Sequence, residues 1–205
     1  MLTGVILAGG QNRRMGGENK ALLPFSNEIL IQRQIRIMKQ ICTEIIMVTN
    51  DPRSFLPILG DSIRIITDYI PGKGPLSGMH AAFTLSNNDD IWVVGCDMPF
   101  ISNDAAELMW KRKQELNCDA VIPLIGGKPY PLHGIYHKRC VNKISKMLEL
   151  GEYRVNELLN VIHYDTVKEM SFIEQDPNLL FVMNVNTQEE YEQALRLGDS
   201  SHNVC

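Results

Sequence analysis

The chain has 205 residues, is 44% hydrophobic and 21% charged, and carries a formal net charge of −4. That profile suits one globular domain with a substantial core. It argues against nucleic acid as a partner, which calls for a basic excess, and against a membrane span, since no apolar run nears the roughly 18–20 residues required.

Cys42, Cys96, Cys118, Cys140 and Cys205 form no C-x-x-C pair. Neither a zinc site nor a disulfide framework is therefore expected, and a reducing, cytoplasmic setting is. The apolar start Leu2–Ala8 lacks a preceding basic region; it reads as a buried strand and not as a signal peptide. A glycine-rich loop follows, residues 7–20, LAGGQNRRMGGENK. Ile31, Ile35, Met38 and Ile41 then recur at helical spacing, and Glu44–Thr49 and Ile63–Thr67 read as strands. Leu76, Met79, His80 and Phe83 mark a second helix, and Ile91–Cys96 a further strand. The strand candidates lack polar alternation, as strands covered on both faces do. Ser102 to Leu116 predicts a helix with acids early and Lys111, Arg112 and Lys113 late, matching the helix dipole.

Farther on, Ala120–Leu124 and His133–His137 read as strands joined through Gly126, Gly127, Pro129 and Pro131. A helix from Val141 should end near Gly151, and Phe181–Val185 reads as a late strand. Thr187 to Glu190 forms a capping box that opens the last helix. Alternation of strands and helices predicts an α/β fold with a mostly parallel sheet. Residues 1–198 are expected to form a single domain and 199–205 a frayed tail.

The first loop holds the densest chemistry. Gly9 and Gly10 let backbone N–H groups approach a phosphate; Arg13 and Arg14 add forked cations and Lys20 a compact one. The spacing is neither a P-loop nor a G-x-G-x-x-G fingerprint. A glycine-rich loop with solvated arginines is the bland alternative. Asp97, in WVVGCDMPF, stands where a buried strand ends. A lone carboxylate there suits Mg²⁺, which takes one or two carboxylates with phosphate oxygens and water; capping the next turn is the ordinary alternative. Asn50, Asp51 and Asp68 follow the second and third strands and so share that sheet edge. Such groups can hydrogen-bond a ligand there, or serve only as turn residues. His133 and His137 lie four apart on a strand, too far for easy joint ligation and without a third ligand.

The L-A-G-G start, its R-M-G and its lysine resemble the signature of the nucleotidyltransferase superfamily with a Rossmann-like fold, and within it the molybdenum cofactor guanylyltransferase branch. Further segments in the same order extend the resemblance over nearly the whole chain. It implies a three-layer Rossmann-like fold with a mostly parallel central sheet and a small mixed β extension. It also implies GMP transfer from GTP to the phosphate of molybdenum–molybdopterin, with Mg²⁺ as cofactor and pyrophosphate as product, and leaves room for cofactor-delivery or acceptor proteins.

Carried over position by position, Leu7, Ala8, Gly9, Gly10, Asn50, Asp68, Gly74, Pro75, Leu76 and Gly78 would bind nucleotide, the last four through G-P-L-S-G. Arg14, Lys20 and Asp97 would be catalytic; Lys20 and Asp97 would also touch the nucleotide, and Asp97 would hold the metal. His133, Arg154, Asn184 and Asn186 would face the acceptor. Asn19 stands where many members have Asp, and Gln188 where proline is usual. L-A-G-G together with G-P-L-S-G favours guanine over cytosine. The alternatives are a cytidylyl or sugar-phosphate transferase of the same superfamily, and a catalytically silent GTP-binding module.

Overall fold

The computed structural model describes residues 1–9, 19–68, 70 and 73–202. Its main sheet is built from β1 (Leu2–Leu7), β4 (Glu44–Val48), β5 (Arg64–Ile66), β6 (Asp90–Gly95), β7 (Ala120–Ile125), β8 (Lys128–Pro129), β9 (Gly134–His137) and β10 (Tyr164–Lys168). The order is β10-β7-β9-β6-β1-β4-β5, with β8 beside β7. β6, β1, β4 and β5 are mutually parallel, as are β7 and β10, whereas β9 runs antiparallel between β6 and β7. β2 (Pro24–Phe25) and β3 (Glu28–Ile29) form a separate hairpin. The expected α/β fold with a mostly parallel sheet and a mixed extension is the one observed.

Among the described residues seven helices connect and cover these strands: α1 (Leu30–Met38), α2 (Pro52–Leu59), α3 (Pro75–Leu85), α4 (Asn103–Leu116), α5 (Val141–Glu149), α6 (Val155–Leu158) and α7 (Gln188–His202). Strand alternation sends residues to two cores. Leu2, Ile6, Ile45, Met47, Trp92 and Val94 pack with Ile31, Ile35 and Met38 of α1 and Met109 of α4. Val5, Leu7, Ile46, Val48, Ile91 and Val93 pack with Leu76, Met79 and Phe83 of α3 and with Ile144 and Leu148 of α5. Both faces of the parallel strands are thus covered, which is why their sequences read as unbroken apolar runs. A third cluster, Leu23, Phe25, Leu30, Val185 and Ala194, seats α7 against the hairpin.

Two expectations need correction. The segment expected as a strand over Phe181–Val185 is a short 3-10 turn, Leu180–Val182, followed by extended chain. Its backbone pairs with a loop instead of a strand, Val185 N–H donating to the Asp97 carbonyl at 2.8 Å. The helix carrying Ile31, Ile35 and Met38 ends at Met38, leaving Ile41 in the following turn. At the far end α7 continues to His202, and the Ser26 hydroxyl donates to Asp199 at 3.2 Å. Conversely, the β2–β3 hairpin, α2, α6 and β10 carry too few residues of clear periodicity to read from sequence.

Candidate active site

Three backbone hydrogen bonds align the carboxyl ends of the parallel strands. Ala8 N–H donates to the Val48 carbonyl at 2.8 Å, Cys96 N–H to Leu7 at 3.0 Å and Thr49 N–H to Ile66 at 3.0 Å. Gly9, Asn50, Asp68 and Asp97 consequently emerge on one edge of the sheet, where open α/β folds bind ligands. Gly9 is exposed, and a side chain there would begin 3.7 Å from the Asn50 amide nitrogen.

Asp97 sits in the turn that leaves β6, closed by Met98 N–H on the Gly95 carbonyl at 3.3 Å. A residue of α1 fastens this turn from beneath. Gln34 is fully buried, and its amide nitrogen donates to the carbonyls of Gly95 at 2.8 Å and Met98 at 2.9 Å. Its neighbour Arg33 donates to the Pro99 carbonyl at 2.9 Å. Burial pushes the Asp97 carboxyl above its usual range; the Lys20 charge opposes that push, and Glu190 adds to it. Asp97 is thus a partly desolvated carboxylate with a cation close by.

Lys20 begins a short 3-10 turn that Asn19 caps, its carboxamide oxygen accepting from Ala21 N–H at 3.2 Å. The Lys20 ammonium donates to the Asn186 side-chain oxygen at 2.9 Å, joining residues 166 positions apart. Asn186 is held in turn. The Glu190 carboxylate accepts from Asn186 N–H at 2.6 Å and Thr187 N–H at 3.0 Å, while the Thr187 hydroxyl accepts from Glu190 N–H at 3.2 Å. This is the reciprocal capping box expected at the start of α7, with the further effect that the Glu190 charge raises the Asp97 pKa while the Lys20 charge lowers that of Glu190.

The G-P-L-S-G segment opens α3. Gly74 takes a φ of 77°, a left-handed conformation that favours glycine, and Pro75 occupies the first turn. Both are exposed at the site edge. Leu76 is fully buried in the core, and Gly78 faces the sheet, where a Cβ would lie 3.1 Å from Leu7 Cδ2. Both pack toward the core here, and bare backbone at Gly78 lets α3 lie close on β1 and β4. Lys73 stacks over Tyr153 at 4.7 Å, and the Tyr153 carbonyl lies 3.6 Å from a Cβ built on Gly74. That packing sets Arg154 beside the same segment. Arg154 is exposed and paired with Glu152 at 2.8 Å and Glu157 at 3.4 Å.

His133 does not face an acceptor. It is fully buried between Trp92 and Phe181, with ring centroids 5.2 and 5.0 Å away. Its Nε2 accepts from Ser102 N–H, the N-cap of α4, at 3.0 Å, and burial pushes its pKa down to about 3. It is a neutral core histidine. His137 lies at the opposite edge, paired in register with Asp90 at the start of β6. Asn184 is exposed beside Val185. Gly10, Arg13 and Arg14 lie outside the described residues.

Sequence reasoning missed Gln34, Ser77 and Glu190 as parts of this site. Gln34 carried a signal, being a polar residue within the apolar stripe of Ile31, Ile35 and Met38. Glu190 was legible only as a helix cap. Among the described residues no three His, Cys, Asp or Glu side chains cluster as a metal site. A single desolvated carboxylate fits a magnesium ion whose remaining ligands are phosphate oxygens and water.

A family model described as MobA-like NTP transferase domain matches residues 4–167. The molybdenum cofactor guanylyltransferase of Desulfosudis oleivorans is 31% identical over 94% of this chain and 94% of its own length. A probable molybdenum cofactor guanylyltransferase of Pelotomaculum thermopropionicum is 33% identical, over 97% of this chain and 94% of its own. In three dimensions the chain is similar to molybdopterin-guanine dinucleotide biosynthesis protein A of Archaeoglobus fulgidus. The TM-score is 0.83 with 22% identity, covering 97% of this chain and 99% of the other.

Proposed function

The chain belongs to the MobA-like NTP transferase family, and from that premise we propose that it transfers GMP from GTP to the phosphate of the molybdenum–molybdopterin cofactor. The products are the guanine dinucleotide cofactor and pyrophosphate. The observation that carries this reading is that the Lys20 charge, held by Asn186, acts on the desolvated Asp97 carboxyl at the edge where Gly9, Asn50 and Asp68 emerge.

In this reading an oxygen of the acceptor phosphate attacks the α-phosphorus of GTP in line. The bond to the β-phosphate oxygen breaks, and pyrophosphate leaves. The attacking group is already anionic, so little general-base work is needed; catalysis rests on positioning and charge neutralisation. Lys20, steered by Asn186, supplies a fixed positive charge to the phosphates. Asp97 would hold magnesium, which when bound neutralises phosphate charge and orients its oxygens. Arg14 would add a second cation from the first loop. Asn50 and Asp68 would contact the guanosine, with Gly74 and Pro75 lining its far side. Arg154, Asn184 and Asn186 would meet the acceptor. Delivery or acceptor proteins and a cytoplasmic setting belong to the same proposal; among the described residues no helix is long and apolar enough to cross a membrane.

The test is pyrophosphate release with molybdopterin and each of GTP, CTP and UTP. Release with GTP and little with the others is expected. Comparable turnover of CTP or UTP would refute the guanine assignment, and saturable GTP binding without release would identify a silent binding module.

A further inference from the structure

Ser77 lies in the first turn of α3, only 1% exposed, within G-P-L-S-G. The N-cap of this helix is Gly74, which offers no side chain to the first-turn N–H groups. The Ser77 hydroxyl does not turn back into the helix. It reaches the tip of β5 and donates to Oδ1 of Asp68. Its distance to the Ile70 carbonyl is 3.4 Å; a hydroxyl has one proton, and the closer charged acceptor takes it. The same Oδ1 also accepts from Ile70 N–H at 2.9 Å. A carboxylate oxygen has about two lone-pair sites, so Oδ1 is filled. Among the described residues Oδ2 takes no hydrogen bond.

We propose that Ser77 is a positioning residue that locks Asp68 so that it offers the nucleoside one oxygen, Oδ2. This rests on the reading of the site as a nucleotide site, and it changes how Asp68 would work there. A carboxylate free at both oxygens can clamp two neighbouring donors, such as N1–H and the exocyclic amine of guanine. Locked by Ser77, Asp68 makes a single directed contact, and its geometry is set before the nucleotide arrives. Preorganisation of this kind increases affinity by lowering the ordering cost of binding. Ser77 touches no reacting atom, so its effect falls on binding and not on the chemical step.

A double-mutant cycle measured by calorimetry tests this, using Ser77→Ala, Asp68→Ala and the double variant. The nucleotide titrated is whichever of GTP, CTP or UTP the wild-type chain binds, so loss of the guanine assignment leaves the cycle intact; binding of none overturns both readings. Ser77→Ala is expected to weaken binding roughly 5–10-fold, raising KM while leaving kcat within about twofold. In the Asp68→Ala background the same change should cost less than about twofold, because the group it steers is gone. An equal loss in both backgrounds would show that Ser77 does not act through Asp68 and would overturn the proposal, as would a fall in kcat at unchanged KM.

Discussion

Replacing Gln34 by leucine removes the buried amide that fastens the Asp97 turn from below. The buried amide makes two hydrogen bonds, to Gly95 and Met98. The Gly95 carbonyl keeps the Met98 N–H at 3.3 Å, whereas the Met98 carbonyl loses its donor. An unpaired buried carbonyl costs roughly 1–3 kcal/mol. Part of that is offset, because Gln34 Oε1 is itself buried without a partner and leucine removes it. After that offset a net loss of about 1 kcal/mol remains. For a chain of 205 residues the unfolding entropy is about 0.4 kcal/mol/K, so Tm should fall by about 2–3 °C. Differential scanning calorimetry reads this directly, and pyrophosphate release should fall in parallel as Asp97 loses its fixed register. A variant with unchanged or raised Tm would refute the reasoning, since the turn would then not depend on this amide.

Lys20→Ala should lower pyrophosphate release by roughly 10²–10³-fold, the scale set by losing one fixed electrostatic contact, with a smaller change in acceptor KM; unchanged steady-state kinetics would remove Lys20 from the site. Asp97→Asn should abolish transfer yet raise the Tm of the nucleotide-free, metal-free protein at neutral pH. The folded-state pKa of Asp97 is raised, so its charged form is the one the fold disfavours. Stability is fullest below the unfolded-state pKa and is lost as pH rises through the folded one; a lower Tm at neutral pH would contradict this. His133 behaves oppositely to an exposed histidine. Its pKa is about 3 in the fold against an ordinary 6.5, so stability declines as pH falls below about 6.5, with a slope approaching 1.4 kcal/mol per pH unit. His133→Asn, suited to the positive φ of 75° at this position, should lower Tm at pH 7.5 but lose about 4 °C less than wild type between pH 7.5 and 5. Parallel Tm–pH curves would refute the burial argument.

Local pattern carried much of the fold. Leu2–Leu7, Glu44–Val48 and Asp90–Gly95 are continuous apolar runs because both of their faces are covered. Thr187 and Glu190 are a capping pair because the two partners lie one helical turn apart. Where a signal spread over fewer residues, as in the two-residue strands of the hairpin or the five-residue β10, periodicity had too little length to register.

The sequence by itself determined the strand-and-helix alternation, the glycine-rich exit of the first strand, and the presence of Asp97 at a strand end. Each depends on neighbours within a few residues, and short-range sterics and hydrogen bonding decide such features. Tertiary structure alone decided which distant groups meet and which face each side chain takes. It brought Lys20 to Asn186, put Gln34 beneath the Asp97 turn, turned Ser77 toward Asp68 and hid His133 in the core just before β9. Those outcomes follow from how helices settle on the two sides of one twisted sheet, a packing choice made by the whole apolar surface at once and written in no single stretch of the chain.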